Sequence, residues 1–290
     1  MQTRTLNDSI CLSTRQYLKF FRSYTYYITD NDILSTFNLA SNFVDVTKSY
    51  KLRQTITTYL GKNFDFLHSF LSVDSMYYLF SFNHMNALVY NEFWEIQAIN
   101  NLPYRPQYSV YANNQIYFTS TTVLNKLNKN LITNIQSMAT NNTYYGIYSN
   151  SSTGLLYLAD SANKKIDIFN QNLSFVDSIN TTFSPWFITE YNGILVITDT
   201  NSGKVYFYQN KVLIRNIITN CTNRVSSVLF DTYDQMMVLC NNPAYLYVYR
   251  TNGTLTGVGG QPCNSTAYHM NLDSKNRLVV ICFVEIGIYY

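Results

Sequence analysis

The chain has 290 residues, of which 13% are charged, and a formal net charge of +3. The basic residues are scattered, with Lys164-Lys165 the one adjacent pair, so there is no electrostatic footprint for nucleic acid; no run approaches the ~20 apolar residues that a spanning helix needs. Tyrosine is abundant at 27 residues; with Phe, Val, Ile and Thr it predicts a strand-rich chain.

In chain order, residues 3–10 precede the first complete unit. Residues 17–21, 26–29, 33–37 and 43–46 then read as four short strands. Residues 49–60 read as a longer outer strand or a surface insertion. Residues 64–70, 77–80, 87–90 and 94–99 form a second set of four. Further sets begin near Tyr108, Tyr144, Trp186, Val225 and Tyr268. Within the fourth set, LLYLADSANKKIDIFN (residues 155–170) alternates apolar and polar on both sides of a short polar turn, which predicts an antiparallel hairpin. The hairpin recurs. Its equivalent residues are Tyr27, Tyr78, Tyr117, Tyr157, Val196, Val238 and Val280, at gaps of 51, 39, 40, 39, 42 and 42 residues. A period near 40 with several strands per unit predicts a β-propeller blade. Links between units are short, so residues 1–290 read as one domain.

The expectation is therefore an all-β propeller of seven four-stranded blades. The seventh repeat stops at its third strand, and an unpaired edge is a liability. Pairing residues 3–10 beside residues 286–289 would close the ring. The alternative is six blades, with the first copy misread.

The segments YLADSANKKIDIFN and VITDTNSGKVYFYQ resemble the NHL-type propeller repeat, whose core is a strand, an Asp, a short Asn-containing turn and a strand ending in an aromatic. The other copies match it by period. The resemblance implies a fold and no particular chemistry, because such propellers include both binding proteins and enzymes.

Three aspartates, Asp30, Asp160 and Asp199, recur where the second strand meets its turn. A short carboxylate there caps backbone N–H groups of the turn, so they read as structural turn caps. The histidines His68, His84 and His269 lack zinc-ligand spacing. His68 and His269 fall on first strands near the axis, and His84 on a turn; all three read as structural or surface residues. Six-bladed lactonase-like propellers hold a metal in the channel with acidic and Asn side chains. Here Glu190 and Asp231 are the best channel candidates. No G-x-S-x-G elbow occurs, and the glycines at 257, 259 and 260 lack the context of a phosphate loop. Eight N-x-S/T patterns occur, at Asn7, Asn141, Asn150, Asn172, Asn180, Asn220, Asn252 and Asn264. The abundance of Asn, Ser and Thr accounts for that number by chance; in a secreted glycoprotein all eight would be open to glycans.

Cysteine spacing is the sharpest signal. Cys221 and Cys240 are 19 residues apart, and so are Cys263 and Cys282. Each pair occupies the same two places in consecutive repeats, the loop entering the first strand and the end of the second. Those places share one end of a blade, so disulfides Cys221–Cys240 and Cys263–Cys282 are expected, with Cys11 left free. The competing reading is five reduced, buried thiols. Disulfides imply an oxidising compartment. No apolar signal stretch opens the chain, so it reads as an extracellular domain of a longer protein or, alternatively, as cytoplasmic.

These features point to a non-catalytic scaffold for protein or glycan recognition, with no cofactor and no membrane span. Its contact surface falls on the loops that hold Tyr144, Tyr145, Trp186 and Tyr245, Trp186 having core packing as its other reading. The competing function is a metal-dependent lactonase, esterase or lyase of the six-bladed class, for which Ca²⁺ is the expected cofactor.

Overall fold

The computed structural model describes residues 52–289, apart from 57, 60, 61, 64, 65, 130–133, 141, 232, 233 and 264. The first repeat with Asp30, the closing strand at residues 3–10, and Cys11 all lie outside the described residues. No helix is present among the described residues, so none is long and apolar enough to cross a membrane.

The fold is a propeller of six four-stranded antiparallel blades. Blade I comprises β4 (Leu67–Val73), β5 (Met76–Ser81), β6 (Asn86–Tyr90) and β7 (Ile96–Asn101). Blade II comprises β8 (Ser109–Ala112), β9 (Gln115–Thr119), β10 (Val123–Asn128) and β11 (Asn134–Ala139). Blade III comprises β12 (Tyr144–Asn150), β13 (Leu155–Asp160), β14 (Lys165–Asn170) and β15 (Phe175–Asn180). Blade IV comprises β16 (Pro185–Tyr191), β17 (Ile194–Asp199), β18 (Lys204–Gln209) and β19 (Val212–Ile218). Blade V comprises β20 (Val225–Phe230), β21 (Gln235–Cys240), β22 (Leu246–Arg250) and β23 (Leu255–Gly260). Blade VI takes β24 (Ala267–Leu272), β25 (Leu278–Cys282) and β26 (Ile286–Tyr289) from the end of the chain, and its outer strand is β1 (Leu52–Ile56). The short strands β2 (Thr58–Tyr59) and β3 (Lys62–Asn63) pair with each other between β1 and blade I.

Two expectations are corrected here. The blade number is six, not seven, and the strand that closes the ring is Leu52–Ile56, not residues 3–10. The edge of β26 is occupied by β1 through the pairs Leu52–Tyr289 and Ile56–Ile286. Blade VI then packs directly on blade I, with Leu67 N–H donating to the Phe283 carbonyl at 3.2 Å. Six blades close the ring among the described residues, and the segment at 49–60, read as a longer outer strand or a surface insertion, supplies the outer strand of blade VI.

Burial explains why the pattern reads as it does. Second and third strands lie between neighbouring sheets and are apolar on both faces; β6 is buried at all five positions and β25 likewise. Outer strands line the rim and are mostly exposed or half-buried, β19 the most exposed of those whose burial is described. The core divides into six clusters, each filling the gap between two adjacent blades. Leu79, Leu88, Ile281 and Ile288 join blades VI and I, for example, and Phe80, Val89, Ile116 and Leu127 join blades I and II.

Polar groups reinforce the seam at which blade VI meets blade I. Arg277 Nε donates to Asp273 Oδ2 at 2.5 Å, Arg277 Nη2 donates to the Tyr77 hydroxyl at 2.9 Å, and that hydroxyl donates to Asp273 at 3.2 Å. All three side chains are buried. A buried ion pair needs such satisfied neighbours to offset its desolvation.

Cys221 is bonded to Cys240 and Cys263 to Cys282, with Cα–Cα distances of 5.3 and 6.4 Å. Each bond ties the loop entering an inner strand to the end of that blade's second strand, the pairing that the 19-residue spacing points to. Gly203 packs under the first: a Cβ on it would lie 2.2 Å from the Cys221 carbonyl oxygen.

Two outcomes are expected. Tyr77→Phe leaves Arg277 and Asp273 short of one buried partner and lowers unfolding free energy by about 1–3 kcal/mol in chemical denaturation. Replacing both Cys221 and Cys240 by Ser lowers it by about 3 kcal/mol, the loop-entropy value for a closed loop of this length; unreduced peptide mapping of the parent chain recovers the two bonds and no cross-pairing.

Candidate functional site

All six inner strands begin at the same end of the propeller, because each blade repeats the same antiparallel order. The loops linking second to third strands, and those linking one blade to the next, gather at that end. Backbone hydrogen bonds join them: Phe82 N–H to the Phe66 carbonyl (2.9 Å), Thr200 to Ser184 (2.8 Å), Asn241 to Arg224 (3.0 Å) and Phe283 to Thr266 (2.9 Å).

Five of the inner strands share one irregularity there. Their register slips between Leu67 and Ser69, Tyr144 and Ile147, Pro185 and Ile188, Val225 and Ser227, and Ala267 and His269. A bulge leaves a residue out of the ladder and re-aims its side chain. The residues so released include His68, Tyr145, Trp186, Ser226 and Tyr268. In blade II, Tyr108 stands just before the inner strand. In blade V, where the released residue is a small serine, Arg224 of the preceding loop reaches the cluster instead.

These side chains meet at the mouth of the axis. The Trp186 Nε1–H donates to the Tyr108 hydroxyl at 2.8 Å, and that hydroxyl donates to the Tyr268 carbonyl at 3.1 Å. The Arg224 guanidinium lies 3.7 Å over the Trp186 ring, and the Tyr145 ring lies 4.1 Å from it. His68 is stacked on Tyr268 (4.6 Å) and on Phe82 (5.1 Å). Phe66, at φ 55°, wedges among His68, Phe82, Tyr268 and Phe283. A bulky side chain at positive φ is strained, and such strain clusters at ligand sites. Arg105 sits at the rim over Phe82. Gly146 lets blades III and IV close up behind the cluster: a Cβ there would meet the Trp186 carbonyl oxygen at 2.5 Å.

Beneath the cluster the axis is filled. His269 lies against Tyr108 and Phe187, and its Nδ1 accepts the Phe70 N–H at 3.3 Å. Ser69 and Ser109 hydroxyls are 2.7 Å apart between blades I and II, and Ser227 Oγ accepts the Met270 N–H between blades V and VI. Burial pushes the His269 imidazole down to about 4. Burial, with the positive charge of Arg224 second, pushes His68 down to about 3. Both are neutral imidazoles at pH 7. Burial raises the Tyr108 hydroxyl well above the ordinary phenol range.

The expected contact residues separate. Tyr144 is 2% exposed and its hydroxyl donates to Asp167 at 2.5 Å, so it is a packing residue rather than a surface contact. Trp186 is 5% exposed, but its ring underlies Arg224 at the mouth. Tyr145 and Tyr268 are half-buried there. Tyr245 is half-buried on the loop face of blade V, against Tyr247.

Asp160 Oδ1 accepts the Asn163 N–H at 3.1 Å, and Asp199 Oδ1 accepts the Asn201 N–H at 3.1 Å. Both caps hold turns of the loop face. The channel candidates do not line the mouth. Glu190 lies at the far end of β16, where it accepts from Tyr148 (2.7 Å) and Asn150 (2.8 Å). Asp231 follows β20 and accepts the Gln235 N–H at 2.9 Å. Among the described residues the one trio with metal-ligand geometry is Cys263, Cys282 and Glu285, and its two sulfurs are bonded to each other.

No protein-family model matches the chain, and no curated sequence matches it. Solved structures do. The WD40 β-propeller domain of Doa1 aligns over 83% of this chain and 97% of its own, at 10% identity and a TM-score of 0.63. The catalytically inactive virginiamycin B lyase of Staphylococcus aureus with quinupristin aligns over 83% and 88%, at 12% identity and 0.63. The WD40 domain of Neurospora crassa Pan2 aligns over 83% and 94%, at 8% identity and 0.63. At these identities the likeness establishes the β-propeller fold alone.

The two neutral histidines make stability pH-dependent. A histidine whose folded pKa lies below its unfolded value of about 6.5 binds a proton in the unfolded state first, so stability is full above pH 6.5 and falls with pH toward the folded pKa. His68 and His269 are each expected to cost about 2 kcal/mol between pH 6.5 and pH 5. Thermal melts across that range show the loss, and a His68→Phe variant shows a shallower one.

Proposed function

We propose that the chain is a recognition propeller that binds a protein or glycan partner at the mouth of its axis. The observation that carries this reading is the convergence of bulged side chains from separate blades on one half-buried aromatic surface around Arg224. Rigid elements hold that surface, which lowers the ordering cost of binding. Tyr and Trp with an adjacent Arg are the residue types that dominate binding energy at interfaces. The NHL-type pattern in blades III and IV and the two disulfides are compatible with an extracellular recognition domain; the sequons leave glycosylation open to it.

The alternative is a lactonase, esterase or lyase with a channel metal such as Ca²⁺. A lyase stands among the fold neighbours, and His68 lies at the mouth. Glu190 and Asp231, the acidic groups that reading needs, are engaged at the opposite end of the inner strands, so recognition is favoured.

The test begins with a glycan array and an ectodomain panel probed with the purified chain. For the tightest binder, hydrogen exchange should slow at the inner-strand starts of blades I, III and VI. Tyr145→Ala and Tyr268→Ala should each weaken binding by about tenfold or more with the melting temperature preserved. Protection confined to the rim or to the opposite end would refute the assignment.

A further inference from the structure

The mouth holds two buried donors without protein partners. Neither ring nitrogen of His68, itself 5% exposed, has a hydrogen-bond partner among protein groups, and Arg224 Nε has none. Arg224 forms no ion pair among the described residues, and its guanidinium carbon lies 3.7 Å from the centre of the Trp186 ring. Native proteins rarely leave buried polar groups unmatched, and each such group calls for a partner. The Tyr108 hydroxyl is directed elsewhere: it donates to the Tyr268 carbonyl and accepts from Trp186. Nearby carboxylates on the loop face are also taken: Asp160 by Asn163, Asp199 by Ser202, and Asp167 by Tyr144 and Lys165.

We propose that His68 and Arg224 form a carboxylate site that takes a planar aromatic acid, a proposal that rests on the mouth being the recognition surface. The acid's carboxylate accepts from the Arg224 edge and from the one N–H of the neutral His68 imidazole. Arginine suits a carboxylate because its planar fork matches two oxygens side by side. A single partly buried cation beside a neutral imidazole balances one negative charge, which favours a carboxylate over a dianionic phosphate. The surrounding walls are rings from separate blades, Tyr145, Trp186, Tyr268 and Phe82. Offset or edge-on packing against such walls favours an aromatic acid over acetate. Arg105 at the rim adds an exposed positive charge on the approach.

Benzoate is the probe, with benzamide as its neutral isostere, acetate as the ring-less acid and inorganic phosphate as the alternative anion. Calorimetric titration of the intact chain should give saturable benzoate binding with Kd on the order of 1 mM or tighter. Benzamide, acetate and phosphate should each bind at least about tenfold more weakly. Arg224→Gln should weaken benzoate by about tenfold or more, and Arg224→Lys should recover part of the loss by restoring the charge. Circular dichroism and the melting temperature establish that each variant is folded. Benzamide binding as tightly as benzoate, or a folded Arg224→Gln variant binding benzoate like the parent, would overturn the carboxylate site and leave the mouth as a recognition surface. Failure of every probe to bind would overturn it as well. The recognition reading itself falls only when a macromolecular partner protects a different face.

Discussion

Everything in this molecule depends on closure of the ring. A blade buries its inner two strands only when another blade covers each face, so an open row of blades would leave two apolar sheets in water. The six interblade clusters are equivalent, and removing any one exposes its neighbours. The chain is continuous from β1 of blade VI into blade I, so the break that closure must bridge lies inside blade VI, between β26 and β1. The β1–β26 ladder bridges that break, and the buried Tyr77–Asp273–Arg277 group fastens the completed blade VI to blade I.

Closure also explains the geometry of the axis. Six inner strands brought to one centre leave little room, and side chains that fit a flat sheet collide there. The bulges near Leu67, Tyr144, Pro185, Val225 and Ala267 all fall where the inner strands begin, and the side chains they release form the mouth. Below it, small hydroxyls at Ser69, Ser109, Ser226 and Ser227 let the strands approach while satisfying backbone groups across blades. The site is thus a by-product of packing that residue choice has turned into a defined surface.

Much of the fold could be read from the residues, and the reasons differ by element. Second strands such as Leu155–Asp160 and Ile194–Asp199 show because they are buried on both faces and end on an aspartate whose capping role is local. The disulfides show because equal spacing in consecutive repeats reports equivalent positions. Blade number does not show. Residues 26–38 carry a hairpin-like pattern, whereas the closing strand, Leu52–Ile56, has one partner strand among the described residues and a weak alternation. The mouth is the least legible part. Its bulges fall where the inner strands begin, and no local pattern encodes them. One signal does exist in hindsight: Tyr144-Tyr145 and Trp186-Phe187 place two large side chains side by side where strict alternation would put one. Tyr144 then turns inward to Asp167 while Tyr145 goes to the mouth, so naming the dipeptide does not say which member makes contact.

The position of β1 has a consequence for biosynthesis. Its partner strand is the last of the described strands, since Ile56 pairs with Ile286 across nearly the whole described chain. On the ribosome, blades I to V can stack in order as they emerge, each covering the one before. Throughout that time β1 waits with an unpaired edge, and blade I waits with a bare face. Ring closure is therefore a late, long-range event of the kind that slows folding and leaves edges open to wrong partners. A chain interrupted after blade V holds most of its contacts and none of its closure, which makes β26 the checkpoint between a stacked intermediate and a finished propeller.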